Sequence, residues 1–201
     1  MKSPFVLVLL MTAFATVVLA GSDNILKNIE FTQTSATGLP AEWLVFCPPV
    51  TDTNDTSIVR GTPDLFAIDP EMPFKGKASL RISSPTAVRV GLLQSKLPVS
   101  AGQIIRFSCW IKANAIRNSA NEGAWVRLGF SNISDSSKQT TAYKQSKFLK
   151  SPTATFDWLY LEGEATVPKE ADHVEFGMFL WCTEGTVWFA NPRVEIINTK
   201  S

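Results

Sequence analysis

Apolar and polar residues alternate with a period near two along the chain from Asn24 onward. In the stretch QIIRFSCWIKA, for example, every second residue from Ile105 to Ile111 is apolar. Such alternation puts successive side chains on opposite faces of a β-strand. No window keeps a helical spacing over the length of a helix, so the pattern predicts an all-β chain.

Clusters of Gly, Pro, Asn, Asp and Ser divide this pattern into nine predicted strands. They are 25–31, 42–46, 78–83, 88–97, 103–113, 124–131, 156–167, 173–182 and 185–197. Residues 183–185 are predicted as a turn, and 47–77 and 132–155 as long loops, the second with room for a short strand piece at 140–143. This number of strands predicts two packed antiparallel sheets, a β-sandwich or jelly roll.

The first 20 residues are predicted to be a secretory signal. Lys2 precedes an apolar stretch at 5–19, and the small residues Val18 and Ala20 stand before Gly21. The alternative is an uncleaved anchor, because the apolar stretch is near the shortest length that crosses a bilayer. We favour cleavage, which makes 21–201 one secreted domain, extracellular or periplasmic, without stable membrane insertion.

The charge of the chain argues against a nucleic-acid partner. Removing the signal takes away Lys2 and no acid, which leaves 18 basic against 18 acidic residues. Binding to a polyanion needs clustered Lys and Arg that release counterions. The densest group, Lys138, Lys144, Lys147 and Lys150, lies in a Ser/Thr-rich stretch that is typical of a solvated loop.

Three predicted strands carry aromatic residues and arginines on the face opposite their aliphatic side chains. This outward set is Arg106, Trp110, Trp125, Arg127, Phe179 and Trp181. Aromatic side chains collected on an exposed face mark a binding site, and sugars suit one because their C–H faces lie on rings while arginines donate to their hydroxyls. The alternative is that loops cover the rings, or that a bulge shifts the faces and makes them core.

Several stretches match the motifs of a known family in order. NILKNIEF followed by GLPAEW resembles the "N-L-L-x-N-G-x-F-E … P-x-G-W" opening of the CenC-type carbohydrate-binding modules. GKASLRI is similar to their "G-x-x-S-L-x-I" strand, LLQSKLPVSAGQIIRFSCWIKA to their "Q-x-V-x-V-x-x-G-x-x-Y-x-F-S-x-W-V-K-A" segment, and GTVWFANPRVEI to "G-T-V-W-x-D-D-V-x-L". The resemblance covers nearly all of 21–201, and its pieces are strand and turn patterns.

The resemblance implies a galactose-binding-like β-jelly roll that binds polysaccharide chains on a concave sheet face, without catalysis. The stacking rings would be Trp110, Trp125, Phe179 and Trp181, and the donors would be Arg106 and Arg127. Consecutive strands of a jelly roll often fall in opposite sheets. Trp110 and Trp181 are therefore the expected neighbours, with Trp125 facing elsewhere.

Many members of that family hold a structural calcium ion between their first and last strands. Here Ile29 and Ala190 stand where the family has Gly and Asp, which leaves Glu30 with Asn191 as a helper. Calcium takes six to eight oxygen ligands. We therefore expect no cofactor and do not favour the metal.

Two alternative functions remain. Glu162 and Glu164 share a strand face, and a retaining glycosidase needs two carboxyls about 5 Å apart; LEGEATV, however, lacks the Asp and bulky residues of the jelly-roll glucanases, and the single His173 offers neither a metal site nor a nucleophile relay. A glycoside hydrolase is thus less favoured. An extracellular protein–protein or adhesion domain is the nearer alternative, because Trp, Tyr and Arg also enrich protein interfaces.

Export would place the three cysteines in an oxidising compartment, where at most one pair forms within the chain. Alternation puts Cys109 and Cys182 on inward faces, where they either bridge or pack as small apolar groups. Cys47 lies in the Pro-rich connection and would remain unpaired.

Overall fold

The computed structural model describes residues 23–48, 59–117, 123–132, 145–152 and 154–197. Its strands are β1 Leu44–Phe46, β2 Val59–Arg60, β3 Phe66–Phe74, β4 Lys77–Pro98, β5 Ile104–Ile116, β6 Gly123–Ser131, β7 Gln145–Lys150, β8 Ala154–Thr166 and β9 His173–Ile197. A single 3-10 turn at Pro63–Leu65 is the other regular element in these ranges. The all-β prediction is confirmed.

The strands form two layers because β4 and β9 are long enough to take part in both. The second part of β4 and the first part of β9 lie in a front sheet of order β1-β4-β9-β6-β7. The first part of β4 and the second part of β9 lie in a back sheet of order β3-β4-β9-β5-β8. All of these pairs are antiparallel, which confirms the predicted two-sheet sandwich, a jelly roll.

The two long strands pass from sheet to sheet at the same level. The register of β4 and β9 shifts between Ser84 and Val88, opposite Thr183 and Gly185. Gly185 has φ 115°, a backbone angle that a residue without a Cβ adopts readily. The turn predicted at 183–185 is therefore a bend inside one continuous strand, and the strands predicted at 78–83 and 88–97 are likewise one.

One predicted loop and one predicted strand differ from the structure. The connection 47–77, predicted as a loop, contains β2 and β3. Pro70 and Pro73 interrupt the alternation of β3, and a strand at the edge of the sheet tolerates them. No residue of the predicted strand 25–31 is in a strand, since positive φ angles at Asn28 and Phe31 bend the chain, and the isolated bridge beside it joins Asn24 to Glu195. The predicted strand piece at 140–143 lies outside the described residues.

The core lies between the two sheets, where the inward sets of alternating side chains meet. Ile105 and Phe107 of β5 and Val126 and Leu128 of β6 are completely buried. Burying one such side chain contributes about 1.5–3 kcal/mol, so this shared core holds the layers together. The alternation therefore predicted the inward faces of both strands correctly.

Cys109 is a free thiol in this core. Its Sγ lies 3.5 Å from the carbonyl oxygen of Ala190 and 4.0 Å from Sδ of Met178 in the opposite sheet. Complete burial raises the pKa of the thiol. Cys109 thus packs as a small apolar group, one of the two expected outcomes; the side chain of Cys182 is outside the described part.

No helix among the described residues is long and apolar enough to cross a membrane. The predicted signal segment, residues 1–20, lies outside those residues.

Candidate functional site

The structure divides the six predicted site residues between the outer faces of the two sheets. The front face carries Trp125, Arg127, Phe179 and Trp181, and the back face carries Arg106 and Trp110. The expectation that Trp110 and Trp181 are neighbours is wrong. β5, which carries Trp110, pairs with the part of β9 that follows the bend at Gly185, whereas Trp181 lies in the part before the bend, which pairs with β6. Trp125 is instead the neighbour of Trp181, with ring centroids 5.9 Å apart and planes 31° from parallel.

Phe179 forms the floor of a recess in the front face. A Cβ atom added at Gly91 or Gly177 would lie 2.3 or 2.4 Å from carbon atoms of this ring, so the ring lies flat over two residues that have no side chain. The rings of Phe46 and Trp181 meet it edge-on at 6.0 and 5.9 Å. With 1% of its surface exposed, Phe179 is the floor rather than the accessible platform that alternation predicts.

Three other rings line the recess above this floor. Trp181 is half-buried, Trp125 is 9% exposed, and Phe148 of β7 is 44% exposed and lies 5.2 Å from Trp125. Together with Arg127 and Phe179, they line a recess of about 200 Å³, here called the front pocket. Sequence reasoning missed Phe148 because it lies in the stretch predicted as a loop.

Cationic side chains lie beside the rings of the front pocket. The guanidinium of Arg127 is 5.0 Å from the centre of the Phe179 ring, and Nζ of Lys150 is 5.1 Å from that of Trp125. A cation over an aromatic face is stabilised by the ring quadrupole. Arg127 also donates a hydrogen bond to Glu175, and both side chains are largely buried. The pocket therefore combines apolar faces with N–H donors held at its edges.

A second group of rings lies on the back face, here called the back cluster: Phe74, Trp110, Trp158 and Tyr160. Trp110 lies 4.7 Å from Phe74 and 5.2 Å from Tyr160, and Phe74 lies 5.1 Å from Trp158. The predicted donor Arg106 is on the same face but pairs with Glu164 at 2.7 Å.

The acids considered for hydrolysis have neighbours of their own. Glu162 accepts a hydrogen bond of 2.7 Å from the Tyr160 hydroxyl, whose pKa is raised by partial burial. Glu164 accepts two from Arg106. Both acids are exposed on the open strand face, and His173 pairs with Asp172 at 2.6 Å. This arrangement is typical of a solvated strand face.

The residues near the family's calcium position do not fit the ion. The carboxylate of Glu30 pairs with the ammonium of Lys77, which supplies a positive charge in place of a metal. Ala190 has no side-chain oxygen, and Asn191 is exposed with φ 48°. Calcium takes six to eight oxygens, and these residues offer far fewer.

No family model matches the sequence, and no curated protein matches it. The structure, in contrast, has the β-sandwich fold found in carbohydrate-binding modules. One of these is TmCBM61, solved in complex with β-1,4-galactotriose: it is 14% identical with a TM-score of 0.56, over 88% of this chain and 100% of that one.

The same fold occurs within the enzymatically active domain of tailspike protein 4 from bacteriophage CBA120. That structure is 15% identical, with a TM-score of 0.62 over 87% of this chain. The match covers 21% of the tailspike chain, so this chain spans about a fifth of it. At these identities the likeness shows the fold.

Proposed function

We propose that this chain is a secreted, non-catalytic carbohydrate-binding protein whose front pocket holds a polysaccharide chain. The observation that carries the proposal is the convergence of Trp125, Phe148 and Trp181 around the Phe179 floor at the sheet surface. Such rings match the apolar C–H faces of sugars, and a recess lined by aromatic side chains with a few fixed donors is the usual form of a small-ligand site.

Two further observations support this function. The fold is that of TmCBM61, which was solved with a bound galactotriose. The apolar stretch at 5–19 supports secretion. Since Lys77 already neutralises Glu30, we also propose that binding needs no calcium, so that a chelator leaves the affinity unchanged.

The first experiment finds a ligand and locates it. Native gels cast with β-glucan, xylan or mannan identify a retarding polysaccharide. The protein is then labelled with 5-fluorotryptophan and titrated with an oligosaccharide of that polymer, while ¹⁹F NMR resolves the six tryptophans. We expect the signals of Trp125 and Trp181 to shift, and that of Trp43, which is 6% exposed in the core, to stay in place.

Variants test whether the rings bind the sugar. Trp181→Ala and Phe148→Ala should each weaken binding at the front pocket about 30-fold, the effect of losing an aromatic anchor worth about 2 kcal/mol. Lys169→Ala, an exposed change in the turn after β8, should have no effect. Retardation without any shift of Trp125 and Trp181 would place the site elsewhere.

Other outcomes distinguish the remaining functions. Absence of retardation by every polysaccharide, together with self-association or a bound protein partner, would refute the proposal in favour of an adhesion domain. Release of reducing ends that stops in Glu162→Gln would show a glycoside hydrolase instead.

A further inference from the structure

The geometry points to a second binding surface on the back face, which takes a neutral polysaccharide chain. It consists of the back cluster and an adjoining recess, here called the back pocket. This inference goes beyond the front pocket, because the two surfaces belong to different sheets of the sandwich and lie on its opposite sides. A protein with both surfaces would join two polysaccharide molecules.

The pairing of the back sheet explains how the cluster forms. Trp110 lies opposite Tyr160 on one neighbouring strand and Ala190 on the other. Because Ala190 has only a methyl group, Phe74 from the end of β3 has room beside Trp110 and reaches Trp158 as well. Tyr160 is 42% exposed and Trp110 and Trp158 are half-buried, so the cluster presents a row of rings to solvent.

A β-bulge connects this row to the back pocket. Ile111 pairs with Leu159, but Ala113 pairs with Phe156, so Asp157 and Trp158 both stand opposite the single residue Lys112. A bulge of this kind re-aims a side chain. Trp158 contacts Phe74, and Asp157 accepts a hydrogen bond of 2.9 Å from Lys112. The side chains of these two consecutive residues therefore both lie on the outer face of the back sheet.

The back pocket has a volume of about 400 Å³ and a lining of mixed polarity. Its lining includes Lys112, Asn114, Thr155, Asp157 and Trp188. Thr155 Oγ1 donates to Asn114 Oδ1 at 3.1 Å, and the Trp188 indole donates to Asp69 at 2.9 Å. An amide, a hydroxyl, an ammonium and a carboxylate thus lie next to the rings, as donors and acceptors for hydroxyl groups.

The charges on this face favour a neutral ligand because the two signs balance. Arg106 pairs with Glu164, Lys112 with Asp157 and Arg193 with Glu195. Lys75, whose Nζ lies 5.3 Å from the centre of the Phe74 ring, and Glu162, which accepts from the Tyr160 hydroxyl, add one charge of each sign. A polyanion would need an excess of cations. A neutral sugar chain binds to apolar ring faces for stacking and to hydrogen-bond donors and acceptors, and the back face offers all of these.

The fluorotryptophan titration tests this surface separately from the front pocket. The probe is the neutral glucan, xylan or mannan oligosaccharide that the gel identifies. In the wild-type chain, Trp110 and Trp158 should shift together with Trp125 and Trp181. In the double variant Phe148→Ala/Trp181→Ala, the shifts of Trp110 and Trp158 should persist. If they do not shift at a saturating concentration in either protein, the inference is wrong.

Changes on the back face give the complementary result. Tyr160→Ala should abolish or strongly reduce the shifts of Trp110 and Trp158 but leave those of Trp125 and Trp181. Thr155→Val keeps the shape of the side chain but removes the hydroxyl that donates to Asn114 and accepts from the N–H of Ala115. It should weaken back-face binding about fivefold, because the Asn114 amide is then no longer positioned by this hydroxyl. Self-association that changes with Tyr160→Ala, without any sugar-induced shift, would identify the face as a protein interface and overturn the inference.

A bridging measurement tests the consequence. The wild-type chain should recruit a fluorescent soluble polysaccharide to an insoluble one, whereas front and back variants should each bind the insoluble polymer without recruiting the soluble one. Shifts confined to Trp125 and Trp181 would support the front pocket alone, and shifts confined to Trp110 and Trp158 would support the back surface alone. The two proposals therefore fail independently.

Discussion

The front and back faces use the same residue types to make surfaces of different shape. On the front face, Phe179 lies flat because Gly91 and Gly177 have no side chains beneath it, and the surrounding rings enclose a recess. On the back face, every strand beside Trp110 contributes a Cβ atom, and the rings stand in a row. The difference shows that neighbours across the strands, rather than the aromatic residues themselves, decide whether such a surface is a pocket or a platform.

The two faces also differ in how they hold their charges. The front pair, Arg127 and Glu175, has side chains that are 15% and 7% exposed, whereas the back pair, Arg106 and Glu164, is 41% and 49% exposed. A buried charge needs its partner because water cannot replace it, whereas an exposed charge is solvated and screened. The front pair should therefore fix the pocket wall, and the back pair should contribute little.

This contrast gives the largest expected effect. Glu175→Ala should lower the free energy of unfolding by about 3–5 kcal/mol, because it leaves the guanidinium of Arg127 in a largely buried position without this carboxylate. Glu164→Ala, the matched change on the back face, should lower it by less than about 1 kcal/mol. Urea denaturation measures both values. Equal losses of unfolding free energy in the two variants would contradict the stronger contribution that burial predicts for the front pair.

A smaller effect is expected from filling the front floor. In Gly91→Ala the new methyl group would meet the Phe179 ring at 2.3 Å and the Met178 carbonyl oxygen at 2.9 Å. Overpacking of this kind costs about 1–3 kcal/mol, and displacement of the ring should also remove sugar-induced shifts at Trp125 and Trp181.

The control for this change is a double-mutant cycle. Gly91→Ala combined with Phe179→Ala should destabilise the protein by less than the sum of the two single changes, because the methyl group then has space. Additive losses in urea denaturation would show that Phe179 does not lie over Gly91 as described.

The smallest effect concerns the pH dependence of the back pocket. The hydrogen bond from Lys112 lowers the pKa of Asp157 in the folded chain. Because this pKa is lower in the folded than in the unfolded chain, the ionised carboxylate stabilises the folded protein at pH values above the unfolded pKa of about 3.9. This stabilisation is lost as the pH falls through the folded pKa. Asp157→Asn should thus slightly lower the urea midpoint at pH 7 and have no effect near pH 2. A difference that is larger at pH 2 would contradict this assignment.

Much of the fold was predictable because alternation is a local property. The inward positions of Ile105, Phe107 and Val126 follow directly from their spacing. β3 was missed because its prolines break the alternation, and Phe148 was missed with the rest of β7 because the stretch around it is rich in Ser, Thr and Lys. The bend at Gly185 was predicted as a turn, since a glycine in the sequence is typical both of a turn between two strands and of a bend within one strand.

The sequence by itself determined the class of fold, the alternation of faces along the strands and most of the aromatic residues for which we propose a role in binding. Only the tertiary structure decided which of them lie together. Trp181 joins Trp125 rather than Trp110 because β4 and β9 each cross from one sheet to the other, and this crossing is set by pairing between segments far apart in the chain. Side-chain direction along a strand is fixed by neighbouring residues, but the partner strand is chosen by the packing of the whole core.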